Sequence, residues 1–234
     1  MNLSTVQSII LRMVSDGPGV ILSLLLATAQ VAAAADPLEL EDGDQPSHLE
    51  PVPPRSYEDS RMLDKQLLVT SGDYGRMILV PAFEGPTAVS VYGSAFTDEY
   101  PKQPWSFHIT VTKANKSRGS RLKITRLDVS IDREFAVAIQ RAWATMLLNT
   151  RYPQKSRFVM DGYTAEFSVF VRGAGILYGR IQTPETGLPK EFVEIGLDLV
   201  AYCSASEKER LAKRNAIIGR LEKFTEEAAK ASKV

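Results

Sequence analysis

Residues 132–182 read DREFAVAIQRAWATMLLNTRYPQKSRFVMDGYTAEFSVFVRGAGILYGRIQ. Phe135, Ile139, Ala142, Trp143, Met146 and Leu147 recur at helical spacing, with Arg133, Glu134, Gln140, Arg141 and Asn149 on the opposite side. That pattern predicts an amphipathic helix with one core-facing stripe. It should end near Thr150, because Pro153 disfavours helical geometry at Tyr152. Phe158 to Met160 then meets Asp161-Gly162, a dipeptide that tolerates the positive backbone angles of a two-residue hairpin turn. Tyr163, Ala165, Phe167, Val169 and Val171 alternate with Thr164, Glu166, Ser168 and Arg172, as in a half-buried strand. Gly173-Ala174-Gly175 turns the chain, and Ile176 to Gln182 returns.

Working outward, Met77 to Val80 reads as a strand stopped by Pro81, and Thr87 to Tyr92 as another between Gly85-Pro86 and Gly93. Trp105, Phe107, Ile109 and Val111 alternate with Ser106, His108, Thr110 and Thr112. Lys116 to Gly119 makes a turn, and Leu122 to Ile131 runs back. There the apolar parity changes, from Leu122 and Ile124 to Leu127, Val129 and Ile131, which predicts a β-bulge near Thr125-Arg126. Beyond the central unit, Phe192, Ile195, Leu199 and Tyr202 mark a helix. Ser206 with Glu209 resembles a capping box opening a last helix to about Ala231, whose apolar stripe is Leu211, Ile218, Leu221 and Phe224.

The expected fold is therefore α+β: a largely antiparallel sheet of about seven or eight strands, one long inserted helix and two C-terminal helices packed on one face. The connection from Ile131 to Phe158 is also long enough for a parallel crossover.

Toward the N-terminus, Val20 to Ala35 is an apolar and small-residue run, shorter than the roughly 20 residues needed to span a bilayer. Ending in an alanine tract, it fits a secretory signal peptide over residues 1–35. A membrane tether follows only if that segment stays uncleaved. Residues 36–57 are acidic and rich in proline, and are expected to form a disordered linker ahead of a single domain over residues 58–234. A periplasmic or secreted location follows from the export signal. The single cysteine, Cys203, excludes an intramolecular disulfide and reads as a buried thiol.

Composition narrows the function without naming it. Lysine plus arginine and aspartate plus glutamate number 28 each, so net charge offers no field to steer nucleic acid, and no nucleic-acid role is expected. His48 and His108 are the only histidines, and no HExxH, zinc-ligand spacing, G-x-S-x-G elbow or phosphate-binding glycine loop occurs. No metal or cofactor is expected. If helices cover one face of the sheet, the other presents His108, Thr110, Glu166, Ser168, Phe170, Tyr178 and Arg180.

Phe170, Tyr178 and Arg180 are residue types enriched where proteins recognise partners, and His108 and Arg151 complete the candidate ligand contacts. The leading expectation is a non-catalytic exported binding protein with a protein or small-molecule partner. One alternative is a small hydrolase or transferase with His108 as acid or base and Glu166 as its carboxylate. Another is an envelope-assembly component docking through the C-terminal helix.

Overall fold

In the computed structural model the described residues are 48–51, 67, 74–94, 106–116, 122–152 and 162–232. The chain divides into two compact units, Met1–Asp44 and Gln45–Val234, and all described residues belong to the second. The elements run β1 (Gly75–Pro81), β2 (Thr87–Ser94), β3 (Ser106–Lys116), β4 (Leu122–Ile131), α1 (Arg133–Leu148), β5 (Tyr163–Val171), β6 (Gly175–Gln182), α2 (Gly187–Ser204) and α3 (Glu207–Ala231). The fold is α+β, with one six-stranded sheet in the order β4-β3-β2-β1-β5-β6 and antiparallel pairing throughout. Among the described residues there are six strands, fewer than the seven or eight expected. The strand placed at Phe158–Met160 lies outside the described residues, as do the export signal and the Asp161 half of its hairpin turn.

Strand directions alternate across the sheet, so β4 and β5 run the same way although β3, β2 and β1 lie between them. α1 is the crossover that carries the chain over those three strands. Its six predicted apolar residues are all buried. Asp132 starts the helix, its Oδ1 accepting the Phe135 N–H at 3.0 Å, and so satisfies one of the backbone donors that a helix start leaves open.

Core contacts follow the strand alternation. Gly75, on β1, lies against Ile139 and Trp143 of α1, and Met77 against Gly196 of α2. Phe192 of α2 is the hub, with ring centroids 4.3 Å from Phe167 of β5, 4.5 Å from Trp143 and 5.3 Å from Phe224 of α3. Each such pair adds about 0.5–1.5 kcal/mol to the burial itself. The Trp143 indole N–H donates to the Arg76 carbonyl at 3.1 Å, so the buried ring leaves no orphan donor.

α3 is fastened by two arginines. Arg214 reaches Asp132 at 2.6 Å and Glu134 at 2.5 Å. Arg220 gathers Glu191, Glu194 and Asp198 of α2 at 2.5, 2.7 and 2.6 Å. The capping box forms: the Glu209 carboxylate accepts from the Ser206 backbone at 3.0 Å and hydroxyl at 2.8 Å.

Three expectations change. The buried stripe of α3 is Ile217, Leu221, Phe224 and Ala228, while Leu211 is exposed. One and two turns before Ile217 that stripe is occupied by Arg214 and Arg210, so Leu211 falls off it. No bulge interrupts β4, whose pairing with β3 is continuous from Leu122–Lys116 to Ile131–Phe107. Ile124 instead lies on the other face of the strand from Val129, opposite Ala114, so the change of parity marks a strand with apolar residues on both faces. Finally, within the stretch expected as a free linker, Glu50 pairs with Arg180 through two backbone hydrogen bonds of 2.8 Å. Leu49 beside it is fully buried in the main core. An edge strand offers unpaired backbone groups, and a single leucine is enough to dock a segment against it.

Candidate functional site

The even-numbered residues of β1 and the residues in register with them form the sheet face turned away from Trp143 and Phe192. Strand register lays them out in rows. One row runs Asp128, Thr110, Ser90, Arg76, Ser168, Tyr178 across all six strands. A second includes Ser130, His108 and Tyr92. A third runs Arg126, Thr112, Ala88, Ile78, Glu166, Arg180.

These rows divide into three zones. In the middle, Ile78, Ala88 and Ala114 are buried with Leu67 in a small second core. This corrects the expectation of a sheet wet across one side, and it accounts for Ser90, Thr110, Thr112 and Ser168 being buried as well. The signal was present in β1, where Met77-Ile78-Leu79-Val80 is apolar without alternation, as in strands covered on both faces.

At the β3–β4 margin Asp128 collects neighbours. Its Oδ1 accepts from Thr110 Oγ1 at 2.6 Å and from the Tyr92 hydroxyl at 3.2 Å. His108 stacks on Tyr92 with centroids 5.5 Å apart and brings Nδ1 to 3.2 Å from Asp128 Oδ2. That approach lacks hydrogen-bond direction, and it becomes an ion pair only when the imidazole is protonated. Among the described residues no hydroxyl or thiol hydrogen-bonds to His108. The expected His108–Glu166 pair is not assembled: β2 and β1 separate their strands, three spacings of about 4.8 Å each. Glu166 lies opposite Arg180 instead.

The third zone is the β5–β6 hairpin. Phe170 and Ile176 are directly opposed, with Tyr178 next to Ile176 on the same face. They are 45%, 55% and 48% exposed. The hairpin is stiffly held: Ala174 N–H closes the turn on the Val171 carbonyl at 3.0 Å, and Gln140 Nε2 of α1 donates to the Phe170 carbonyl at 3.2 Å. Arg76 Nε donates to Ser168 Oγ at 3.1 Å on the adjoining row.

Both arginines expected at a ligand are drawn to residues 48–51. The Arg180 guanidinium lies 3.7 Å from the Glu50 carboxylate. The Arg151 N–H donates to the Leu49 carbonyl at 3.0 Å. Burial, followed by the charge of Arg151, holds His48 below the ordinary histidine range.

An open cleft of about 370 Å³ lies between α2 and α3, lined by Gly187, Leu188, Glu191, Lys223, Phe224 and Glu227, and contains none of the expected site residues. Among the described residues no group of three or more His, Cys, Asp and Glu side chains is placed to hold a metal ion, and no helix is long and apolar enough to cross a membrane.

Sequence reasoning missed Asp128, Tyr92 and Ile176. The first two depend on strand register, Tyr92 lying opposite His108 and Asp128 opposite Thr110, which no single strand's pattern shows. No protein-family model, curated protein or solved structure matches the chain.

Proposed function

We propose that this chain is an exported, non-catalytic binding or interaction protein that meets its partner through Phe170, Ile176 and Tyr178 at the end of the β5–β6 hairpin. In this reading α1, α2 and α3 form one layer on the opposite face of the sheet and give the hairpin a rigid backing. The observation that carries it is the group of three large, half-exposed apolar side chains held side by side on a fixed backbone. Single exposed apolar residues are commonplace, whereas an adjacent group of two aromatics and an isoleucine offers the low-entropy contact area on which binding hot spots are built. Export rests on the apolar run Val20 to Ala35, and a periplasmic or secreted location follows from it. Arg180 is assigned to Glu50 and the β6 edge, and not to the partner.

Photocrosslinking tests the assignment. Benzoylphenylalanine in place of Tyr178 should give an adduct of discrete mass in the producing cell, weakened about tenfold by Phe170→Ala as a contact worth at least ~1.4 kcal/mol is lost. The same probe in place of Gly219, on the open side of α3, should give none. An identical adduct from both positions, or from neither, rejects the hairpin as the recognition surface.

A further inference from the structure

The two margins of the sheet differ. β6 is closed by Glu50, whereas among the described residues no segment pairs with the outer side of β4. Every side chain from Lys123 to Asp128 is exposed, in a strand where alternation would bury every second one. Leu127, on the same side of the strand as buried Val129, is 40% exposed. A long uncovered edge is a template for another strand, and charges placed along it decide which strand is accepted.

We propose that β4 pairs antiparallel with β4 of a second copy of this chain about a two-fold axis at Leu127, joining two sheets into one. A two-fold axis normal to the sheet can pair only residues whose numbers have an even sum, because both side chains of a pair share a face. Centred on Leu127, it sets Leu127 against Leu127, so each covers the other's exposed side chain. It sets Arg126 against Asp128 twice, Thr125 against Val129, and Ile124 against Ser130. The Asp128 side chain, although it touches Thr110, Tyr92 and His108, is still 44% exposed and open to Arg126 of the second copy.

Neighbouring registers fail on charge. An axis at Arg126 opposes two arginines, and one at Asp128 opposes two aspartates, each destabilising. An axis at Thr125 leaves Arg126 against Ile124. The charges that protect this edge from most strands therefore match it to itself. β4 and the β5–β6 hairpin lie toward opposite margins, so this interface is independent of the recognition surface proposed above.

Sedimentation equilibrium of the full chain tests the pairing. The wild type should show a concentration-dependent monomer–dimer equilibrium. Arg126→Asp and Asp128→Arg each place like charges across the axis and should weaken the dimer about tenfold or more. The double variant restores opposite charges and should return to within about threefold of wild type. Because Asp128 also serves Thr110 and Tyr92, a second measurement avoids it. Leu127→Cys should oxidise to a covalent dimer, since directly opposed residues lie within the Cα separation a disulfide accepts. Thr125→Cys, opposed to Val129 and not to itself, should not. A wild type that stays monomeric, a double variant no better than the single ones, or equal crosslinking from positions 125 and 127 overturns the proposal.

Discussion

Cys203 sits with its sulfur 3.9 Å from the Ile109 carbonyl, on the buried side of α2. Burial pushes its thiol up to about 12, only partly offset by the charge of Arg210. At pH 8 the thiolate is then on the order of one part in ten thousand, and thiolate is the reactive form. Native protein should leave Ellman's reagent uncoloured at pH 8, with stoichiometric release appearing only on unfolding in guanidinium. Rapid native labelling would mean that the thiol reaches solvent and would reopen a nucleophilic or intermolecular role. The outcome also governs how a Leu127→Cys crosslink is read, because an inert Cys203 cannot contribute to it. At this scale the sequence was informative where a residue's neighbours lie on its own element: Cys203 among Val200, Ala201 and Tyr202 already read as buried. It was silent on Asp128, whose partners Thr110 and Tyr92 lie across strand pairings whose register had to be known first.

Among the elements, α1 was read most completely, because its apolar stripe is a local property of consecutive residues. Its start also couples to α3. The Arg214 guanidinium on Asp132, aided by the Phe135 N–H, holds that carboxyl at about 2, well below the 3.9 or so of an unfolded aspartate. A depressed carboxyl contributes stability that is fully present above the unfolded value and is lost as pH falls through the folded one, so the window lies between roughly pH 4 and 2. Asp132→Asn keeps an oxygen for the cap and removes the charge. It should cost about 0.5–1 kcal/mol at pH 7, modest because the pair faces solvent, and the difference from wild type should vanish near pH 2. Asp132→Ala should lose about a further 1 kcal/mol with the cap itself. Urea midpoints at pH 2, 3, 4 and 7 check both. A difference that does not change with pH would separate Asp132 stability from Arg214. β4 was read less well than α1 for the opposite reason. Ile124 pairs with Ala114, a member of the small second core, and no periodicity within β4 can announce a second core.

For the whole molecule, the least legible feature is the join between residues 48–51 and β6. Acidic and proline-rich composition signals a segment with little to bury, yet Leu49 needs only one cavity. Gly179 provides it: a Cβ there would stand 3.0 Å from Leu49 Cδ1 and 2.8 Å from Leu147 Cδ2, so the bare glycine is what lets the leucine in. The bridge from Glu50 to Arg180 then occupies the backbone groups of β6 at that point. Two costs should therefore separate on mutation. Leu49→Ala empties a core site while leaving the backbone pairing, and should lower stability by about 2–4 kcal/mol. Residues 45–234, the second compact unit, give the reference melting temperature. Removing residues 1–54 should lower it at least as much as Leu49→Ala. That deletion should also make the protein self-associate through the uncovered β6, because an exposed edge recruits other strands. Light scattering on the two truncations distinguishes edge from core: aggregation in the longer deletion but not in Leu49→Ala assigns solubility to the backbone bridge. Equal melting for residues 45–234 and 55–234 would show that residues 48–51 contribute nothing, and Arg180 would then return to the candidate recognition surface.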